Sequence, residues 1–531
     1  MKSRRAEEPF TQLRNVDMGE LQTILERARS GPLEGEDYAT LKSAVDTLGF
    51  LTRELEAKGA SIERLRKLFF GGSSEKTQNV VPGASPSGKE KKAAPGKGHG
   101  RNGAAAYTGA DHVTVAHPTL NAGTQCPCCI RGKVYPMKEG QKLIRVKGMA
   151  PLAATVFECD RLRCNGCGEV FTAPAPPGIG EEKYDDSAAA MVAMLRYGAG
   201  VPFSRVERLQ GALGIPLPAS TQWDLVEEKT QALEPALDEL MNQAAQGQVV
   251  HNDDTSMKVL ELMAQTKEDA VAAGESEELA KRTGIRTTGV VSLLHAGKAV
   301  LFFTGRKHAG ENLQDVLQRR AEQAPPPIQM CDGLSHNTDG EFESILGNCL
   351  SHARRYFVDV LHSFPAECKY VLETLRDVFA HDAETRAQGM SPAQRLALHQ
   401  QKSGPLMDAL KTWSKAQIDE RRVEPNSGLG EALRYMLKRW AELTLFLRVE
   451  GAPLENNICE RALKKAILHR KNSLFYKTLH GARVGDMYMS LIHTAELNGA
   501  DPFHYLLTLM RNREAVQRQP AAWMPWNYPA A

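Results

Sequence analysis

The chain has 531 residues, of which 42% are hydrophobic and 24% charged, and its formal net charge is +2. This length predicts several domains rather than one core. The near-neutral net charge excludes nucleic-acid binding driven by the charge of the whole protein, so a nucleic-acid-binding surface must be a local basic patch. No apolar run approaches the ~18 residues of a membrane span and acidic residues soon follow the N-terminus, so we expect a cytoplasmic protein without export signal or membrane anchor.

The N-terminal region, residues 13–70, contains a heptad repeat. Large apolar side chains recur every seven residues at Leu41, Leu48, Leu55, Ile62 and Phe69. This spacing predicts a coiled coil through which copies of the chain form a homo-oligomer, and an amphipathic helix packed on its own protein is the alternative. Residues 71–115 are mostly Gly, Ser, Pro, Ala and Lys, which predicts a flexible basic linker.

Six of the ten cysteines fall between residues 126 and 167. Clustered CxxC pairs in a chain without an export signal favour a metal site over disulfides, in a reducing compartment. Two pairs predict one tetrahedral Zn²⁺ within a small domain at 116–178. The expected ligands are Cys126, Cys129, Cys164 and Cys167. Cys128 is an alternative to either ligand of the first pair.

Residues 179–246 have a helical pattern. Helices predicted at 204–213 and 220–233, with a turn between them, have the outline of a helix-turn-helix. The second helix carries Glu227 and Glu228 and little positive charge. An ordinary helical hairpin is therefore an equally good interpretation.

From residue 247 the pattern becomes that of strands. Three strands, the first ending at Asp253, precede a helix at 311–322 and a buried strand ending at Asp332. A short strand around Cys349 and a helix follow. This order is that of a ribonuclease-H-like core, whose first part spans 247–364. The pattern over residues 365–450 predicts an all-helical insertion. Residues 451–514 are expected to form the last part of the core with the C-terminal helices, and residues 515–531 a tail.

Three carboxylates carry the predicted chemistry. Asp253 and Asp332 each follow an apolar strand, and a Glu lies near the start of a helix after residue 453. Convergent carboxylates on an α/β core can hold two Mg²⁺ or Mn²⁺ ions that activate a water or a 3′-hydroxyl for phosphoryl transfer. Adjacent strand residues point to opposite faces, so Asp253 rather than Asp254 is predicted to face the site.

The third carboxylate has two candidates. Glu455 and Glu460 are five residues apart and hence about 140° apart around a helix, so only one can face the metal ions. Asn456 and Asn457 suit the turn that begins a helix containing Glu460, which favours Glu460.

The segment 461–483 contains seven Lys and Arg residues and no Asp or Glu. An acid-free basic segment beside the carboxylates predicts contacts with DNA phosphates, with a solvated helix face as the alternative. The predicted contacts are Arg461, Lys464, Lys465, Arg470, Lys471, Lys477 and Arg483. His352, Arg354 and Arg355 are expected to brace the catalytic Asp or the scissile phosphate. Half of a second metal site at Cys349 and His352 is a weaker alternative.

In this order the motifs resemble those of transposases of the insertion-sequence-66 family, bacterial enzymes of the DDE class. Leu65–Lys76 resembles the family's end-of-coil motif, and the cysteine pairs resemble its zinc-binding domain. His251–Thr255 resembles the first-Asp motif, usually Ala-Asp-Glu-Thr, with Asn252 and Asp254 in place of the Ala and the Glu.

The C-terminal half continues the resemblance. Asp332-Gly333 and Cys349–Arg355 are similar to the next motifs, with Leu350-Ser351 where the family often has Trp-Ala. The stretch from Pro453 to Asn472 is the most specific, and Leu497–Pro502 resembles the C-terminal signature.

The resemblance implies a DNA transposase of a bacterial insertion sequence, which cleaves and joins strands by two-metal-ion phosphoryl transfer. Asp253, Asp332 and Glu460 carry over as the catalytic triad and Mg²⁺ ligands. Element ends and target DNA would be the partners, together with accessory transposition proteins. The fold implied is multidomain α/β: a coiled coil, a zinc-binding domain, a helical domain and a ribonuclease-H-like core interrupted by an all-α insertion. The alternative is a decayed or repurposed zinc-containing DNA-binding protein. A third interpretation, a nuclease acting on other nucleic acids, does not explain the coiled-coil and zinc modules.

Overall fold

The protein is described by a computed structural model. The described residues are 18–32, 35–45, 116–129, 131–135, 137, 150–163, 165, 167, 169–178, 182–272, 274–338 and 340–528. Most of the predicted coiled coil, from residue 46 onward, and the predicted linker lie outside them. Two compact units are present, one of residues 88–153 and one of the remaining chain. Among the described helices, none combines the length and apolar character needed to cross a membrane.

In the smaller unit, the described residues form a tight loop around the first cysteine pair. An antiparallel bridge joins Gln125 to Lys133, and the Cys126 N–H donates to the Gly132 carbonyl at 2.7 Å. Cys126 is half-buried, whereas the Cys129 side chain is exposed.

The larger unit is mixed α/β with a helical majority. Helix α1 spans Met18–Ser30, and the strands β1 (Arg161–Arg163) and β2 (Val170–Thr172) form an antiparallel pair. The helices before the main sheet are α2 (Asp186–Ala193), α3 (Phe203–Ala212), α4 (Ala219–Glu228) and α5 (Thr230–Ala245). Helices α3 and α4 occupy the place of the predicted helix-turn-helix outline.

A five-stranded mixed sheet forms the centre of this unit. Its strands are β3 (Val249–Ser256), β4 (Arg286–Leu293), β5 (Lys298–Gly305), β6 (Ile328–Cys331) and β7 (Ile345–Asn348). The order is β5-β4-β3-β6-β7. The first three strands are antiparallel, and β6 and β7 run parallel to β3. Short helices α6 (Leu260–Ala264), α7 (Lys267–Ala272) and α8 (Glu277–Ala280) connect β3 to β4, and α9 (Ala309–Leu317) connects β5 to β6.

The chain between β7 and the C-terminal helices is helical. They are α10 (Leu350–Val360), α11 (Pro365–Ala387), α12 (Pro392–Leu398), α13 (Gly404–Asp419), α14 (Gly428–Lys438) and α15 (Trp440–Leu443). All residues from 365 to 450 are described, and none of them is in a strand. Their buried side chains, such as Leu372 and Leu433, share one core with Val249 and Ile328 of the sheet. The helical stretch is therefore packed onto the sheet.

The C-terminal helices are α16 (Asn457–Ser473), α17 (Leu479–Leu497), α18 (Pro502–Arg511) and α19 (Arg513–Arg518). Helix α17 covers the edge strand β5. Alternate backbone N–H groups of the strand donate to side chains one helical turn apart: Val300 to Thr494 Oγ1 (3.0 Å), Phe302 to Ser490 Oγ (3.0 Å) and Thr304 to Asp486 Oδ2 (2.6 Å). Side chains thus satisfy the donors that an exposed sheet edge leaves unpaired.

Candidate active site

The pairing of β3 with β6 places Asp253 beside Asp332. Asp332 follows β6, as predicted, but Asp253 lies within β3, because that strand continues to Ser256 instead of ending at Asp253. The two strands are parallel neighbours, with Val249 paired to Ile328. Each acid follows its paired residue by four positions, so the two carboxylates lie level with one another. The strand pairing thus juxtaposes two residues that are remote in the chain.

The faces of β3 and β4 separate Asp253 from Asp254. In the antiparallel register Asp253 is opposite Gly289 and Asp254 is opposite Thr288. A Cβ on Gly289 would lie 3.1 Å from Leu463 of α16, whereas the Thr288 hydroxyl receives a bond from Asn312 of α9 at 2.8 Å. Side chains alternate along strands, so Asp253 is on the α16 face and Asp254 on the α9 face.

Asn456 anchors the start of α16 to β3. Its side-chain N–H donates to the Asn252 carbonyl at 3.1 Å. Its Oδ1 lies 3.0 Å from Nδ1 of His251, which therefore donates. Burial lowers the pKa of His251 to about 4, so the imidazole is neutral near pH 7. Glu460 lies in the first turn of the helix held in this way.

The predicted carboxylates act on one another electrostatically. The pKa of Asp253 is raised to about 7, first by burial and then by the negative charge of Asp332, with smaller contributions from Asp254 and Glu460. Like charges that share a site disfavour ionisation, and a bound cation reverses that effect. Oε1 of Glu460 is also buried without a hydrogen-bond partner. Carboxylate oxygens are the ligands that Mg²⁺ and Mn²⁺ prefer.

Asp332 is held by the loop that follows it. Oδ1 accepts from the Leu334 N–H at 3.0 Å and from the Asn337 side-chain amide. The Asn337 carbonyl in turn accepts from the Asn252 side chain at 2.8 Å. Arg439, from the helical stretch, donates to the Gly333 carbonyl at 2.7 Å. The loop at Asp332 is thus fixed from the sheet and from the helices.

Glu455 and Glu460 have different surroundings. Oε1 of Glu460 lies 3.6 Å from Nε2 of His352, and Glu460 contributes to the raised pKa of Asp253. Oε2 of Glu455 accepts from the Ser351 hydroxyl at 2.9 Å. Glu460 is thus close enough to Asp253 to affect its ionisation, whereas Glu455 has a local partner.

Cys349 is close to His352 and Glu460, with one ligand atom of each within 4.8 Å of the others. Burial raises the pKa of the Cys349 thiol to about 11. Zinc binds thiolate, so a metal ion bound here would have to displace the thiol proton.

The predicted DNA-contacting side chains fall into two groups. Exposed residues are Arg461, Lys464, Lys471, Lys477, Arg483 and Arg355. Lys465 instead pairs with Glu496 at 2.9 Å, and Arg470 donates to the Ser256 hydroxyl at 2.5 Å. Arg354 is buried. The exposed group is the one that solvent or a phosphate can reach.

Three ring side chains of the basic segment 461–483, those of His469, Tyr476 and His480, contact other parts of the protein. His469 and Tyr476 are both buried, and their rings stack with centroids 4.3 Å apart. His480 is exposed and lies 3.3 Å from a Glu227 carboxylate oxygen. His469 and Tyr476 are therefore not available for base stacking.

Of the predicted zinc ligands, Cys164 lies outside the described residues. Backbone N–H groups of Gly132 and Arg131, followed by the Cys126 thiol, donate to Cys129 and lower its pKa. A lowered pKa favours thiolate, the form that binds Zn²⁺. Cys129 thus has the thiolate character that the ion requires.

A further cluster was not predicted from the sequence. Asp254, His308 and His336 each place one ligand atom within 4.8 Å of the others. Burial and the positive charge of Arg286 lower the pKa of His308, which favours a neutral imidazole. Two signals were available: the position of Asp254 beside a predicted catalytic Asp, and that of His336 shortly after Asp332.

Comparisons with known proteins agree with the resemblance stated above. The family model described as "Transposase IS66 family" matches residues 182–484, more than half of the chain. Two similar proteins come from Sinorhizobium fredii (strain NBRC 101917 / NGR234). "Uncharacterized protein y4jD" is 26% identical over 423 residues, covering 76% of this chain and 78% of the relative. "Uncharacterized protein y4hP" is 24% identical over 445 residues, covering 79% and 76%. No solved structure shows significant similarity.

Proposed function

Because the chain belongs to the transposase IS66 family, we propose that it is a DNA transposase that cleaves and joins strands at a site formed by Asp253, Asp332 and Glu460. The observation that carries this proposal is the raised pKa of Asp253, caused by burial and by the charges of the other two acids. Three converging carboxylates without a paired cation form an unfavourable arrangement that a divalent ion stabilises.

The three carboxylates would hold Mg²⁺ or Mn²⁺. When bound, the ions polarise a phosphodiester and lower the pKa of an attacking water or 3′-hydroxyl. The chain itself positions the ligands: Asn456 fixes the helix of Glu460 to the strand of Asp253, and Asn337 holds Asp332. His352, whose Nε2 is 3.6 Å from Oε1 of Glu460, lies beside the third carboxylate.

The sheet supports assigning a ribonuclease-H-like core. Three antiparallel strands are followed by two that run parallel to the first, in the order β5-β4-β3-β6-β7. In this assignment the core spans 247–364 and 451–514, with the helical stretch 365–450 inserted. The other proposed parts are a coil at 13–70, a linker at 71–115, a zinc domain at 116–178, a helical domain at 179–246 and a tail at 515–531.

DNA would bind along the exposed face of α16 and the segment after it. The accessible cations are Arg461, Lys464, Lys471, Lys477 and Arg483. Phosphate contacts of this kind position the duplex without reading its sequence. Arg355, exposed on α10 beside the site, extends the same surface.

The remaining modules would serve assembly on DNA. Zn²⁺ would be held by Cys126, Cys129, Cys164 and Cys167, and the thiolate character of Cys129 supports this role. The heptads would join copies into a homo-oligomer, as transposition requires two ends to meet. Accessory transposition proteins complete the proposed set of partners.

The test uses the purified full-length protein with DNA of the element's ends and Mg²⁺. We expect strand cleavage and joining by the wild type, and loss of at least about 100-fold in rate for Asp332→Asn, because a neutral amide is a poor Mg²⁺ ligand. Asp408→Asn is the matched control, since Asp408 is exposed on α13.

Two outcomes would contradict the proposal. Asp332→Asn cleaving as fast as the wild type would remove Asp332 from the site. End binding by the wild type with no cleavage in Mg²⁺ or Mn²⁺ would favour the alternative, a decayed or repurposed zinc-containing DNA-binding protein.

A further inference from the structure

Three side chains from separate elements converge on the α9 face of the sheet. Asp254 comes from β3, His308 precedes α9, and His336 lies in the 3₁₀ turn Ser335–Asn337 after β6. Oδ2 of Asp254 lies 3.6 Å from Nδ1 of His308 and 4.0 Å from Nε2 of His336. The two imidazole rings are 5.0 Å apart between centroids.

Two of the three facing atoms are buried and have no hydrogen-bond partner. The Asp254 side chain is only 9% exposed. Its Oδ2 and Nδ1 of His308 are inaccessible to solvent and unbonded. Their separation of 3.6 Å is too long for a hydrogen bond, so the cluster has a gap between groups that ordinarily pair. Burying unpaired polar atoms costs about 1–3 kcal/mol each.

The spacing matches that of ligands around one metal ion. Two ligand atoms bound at about 2.1 Å to a tetrahedral ion are about 3.4 Å apart. Arg286 contacts the other oxygen of Asp254, with Nε 3.5 Å from Oδ1, which leaves Oδ2 directed at the histidines. The distance of 4.0 Å from His336 Nε2 to Asp254 Oδ2 exceeds this spacing by about 0.6 Å.

We propose that Asp254, His308 and His336 bind a divalent transition-metal ion of the Zn²⁺ type, at a site separate from the three predicted catalytic carboxylates. Two imidazoles and one carboxylate suit Zn²⁺, Co²⁺ or Mn²⁺ better than Mg²⁺, which prefers oxygen ligands. Asp254 and Asp253 are on opposite faces of β3, so the two sites do not share a pocket.

The ion would clamp the loop that carries Asp332. His336 belongs to that loop, whose neighbouring residue Asn337 hydrogen-bonds to Asp332. A metal that joins His336 to β3 and to the start of α9 would therefore restrict the loop. The site goes beyond the proposed transposase function and does not depend on it.

The test is Co²⁺ binding to the full-length, chelator-treated protein in excess Mg²⁺, which occupies oxygen-only sites. Metal per chain is measured by elemental analysis, together with the absorption spectrum. We expect His336→Gln and Asp254→Asn each to bind one Co²⁺ fewer than the wild type and to lose only the part of the visible d–d absorption that this site contributes. The thiolate-to-cobalt charge-transfer band of the cysteines should remain.

His504→Gln is the matched control, because His504 is exposed outside the cluster. Circular dichroism and thermal melting in the presence of chelator test whether each variant is folded. If a histidine variant is unfolded, the near-isosteric Asp254→Asn variant alone decides whether the metal site exists. Wild-type Co²⁺ content and spectrum in folded Asp254→Asn and His336→Gln would overturn the site. Cleavage in Mg²⁺ is measured separately, so failure here leaves the transposase proposal intact.

Discussion

The Asn456 side chain donates to the backbone carbonyl of Asn252 across 204 positions of sequence. Asn252 immediately precedes Asp253, and Asn456 immediately precedes the helix of Glu460. This one contact therefore fixes the distance between the first and the last predicted catalytic acids. Because Asn456 also accepts from the buried His251, neither its amide nitrogen nor its oxygen is free to rotate away.

Replacing Glu455 and Glu460 separately by Gln should identify the third carboxylate ligand. Glu460→Gln is expected to lower Mg²⁺-dependent cleavage at least about 100-fold, because the neutral amide no longer offers a charged oxygen to the ion. Glu455→Gln should retain most of the activity, since an amide can still accept from Ser351. Cleavage rates at saturating DNA distinguish the two. Loss in Glu455→Gln with wild-type rates in Glu460→Gln would reverse the assignment.

The close approach of α16 to β4 makes Gly289 sensitive to substitution. In Gly289→Ala the new Cβ would lie 3.1 Å from the Leu463 side chain, so we expect destabilisation of about 1–3 kcal/mol from overpacking. The displaced helix carries Glu460, so cleavage should fall as well. Thermal melting and cleavage rates are the measurements.

Two further variants make this test specific. Leu463→Val in the Gly289→Ala background removes Cδ2, one of the two atoms that collide, and should recover part of both losses. Gly211→Ala is the control, because Gly211 is in α3 with open space around its Cα. Wild-type melting and cleavage in Gly289→Ala would show that the contact is not tight.

The exposed and the internally paired cations should differ in their effect on DNA binding. Removing a side chain that contacts one phosphate is expected to reduce the slope of log affinity against log salt by about 0.9. Lys464→Ala and Lys471→Ala should show this change. Lys465→Ala should leave the slope unchanged and lower stability slightly, because Lys465 pairs with Glu496. Equal slopes for Lys464→Ala, Lys471→Ala and the wild type would exclude α16 from the DNA-binding surface.

Asp486 should make stability depend on pH. Burial raises its pKa from 3.8 to about 7 in the folded protein, more than its bonds to Thr304 lower it. The folded state therefore binds the proton more tightly than the unfolded chain. The contribution to stability is complete below about pH 4 and is lost as the pH rises through 7.

Asp486→Asn isolates this effect, because an amide does not titrate in this range. The stability of the wild type relative to the variant should fall by up to about 2–3 kcal/mol between pH 5 and pH 8. Denaturant unfolding at the two pH values measures the difference, with Asp408→Asn as the control. A difference that is the same at both pH values would mean that Asp486 is not strained by its burial.

The sheet was largely predictable because its strands are short apolar runs bounded by polar turns. The third predicted strand is β5, Lys298–Gly305. The helix predicted at 311–322 ends earlier, at Leu317. Beyond it, the Arg320 guanidinium donates to the Gly247 carbonyl at 2.9 Å. Because Gly247 is remote in the chain from Arg320, the local pattern of apolar residues could not predict this contact.

The roles of individual charged residues were less predictable. Lys465 and Arg470 look like their basic neighbours in sequence, but their partners Glu496 and Ser256 are 31 and 214 positions away. Likewise, Asp254, His308 and His336 come together only because β3, β5 and β6 share one sheet. Such groupings depend on strand pairing, which a single sequence does not specify.

The cover that α17 provides for β5 has a consequence for synthesis. The side chains that cap the strand, from Asp486 to Thr494, leave the ribosome long after the strand itself, because domains emerge from their N-terminal side. Until then the edge of the sheet can pair with another nascent chain. Copies of the gene with a premature stop codon before Asp486 would therefore yield aggregation-prone fragments.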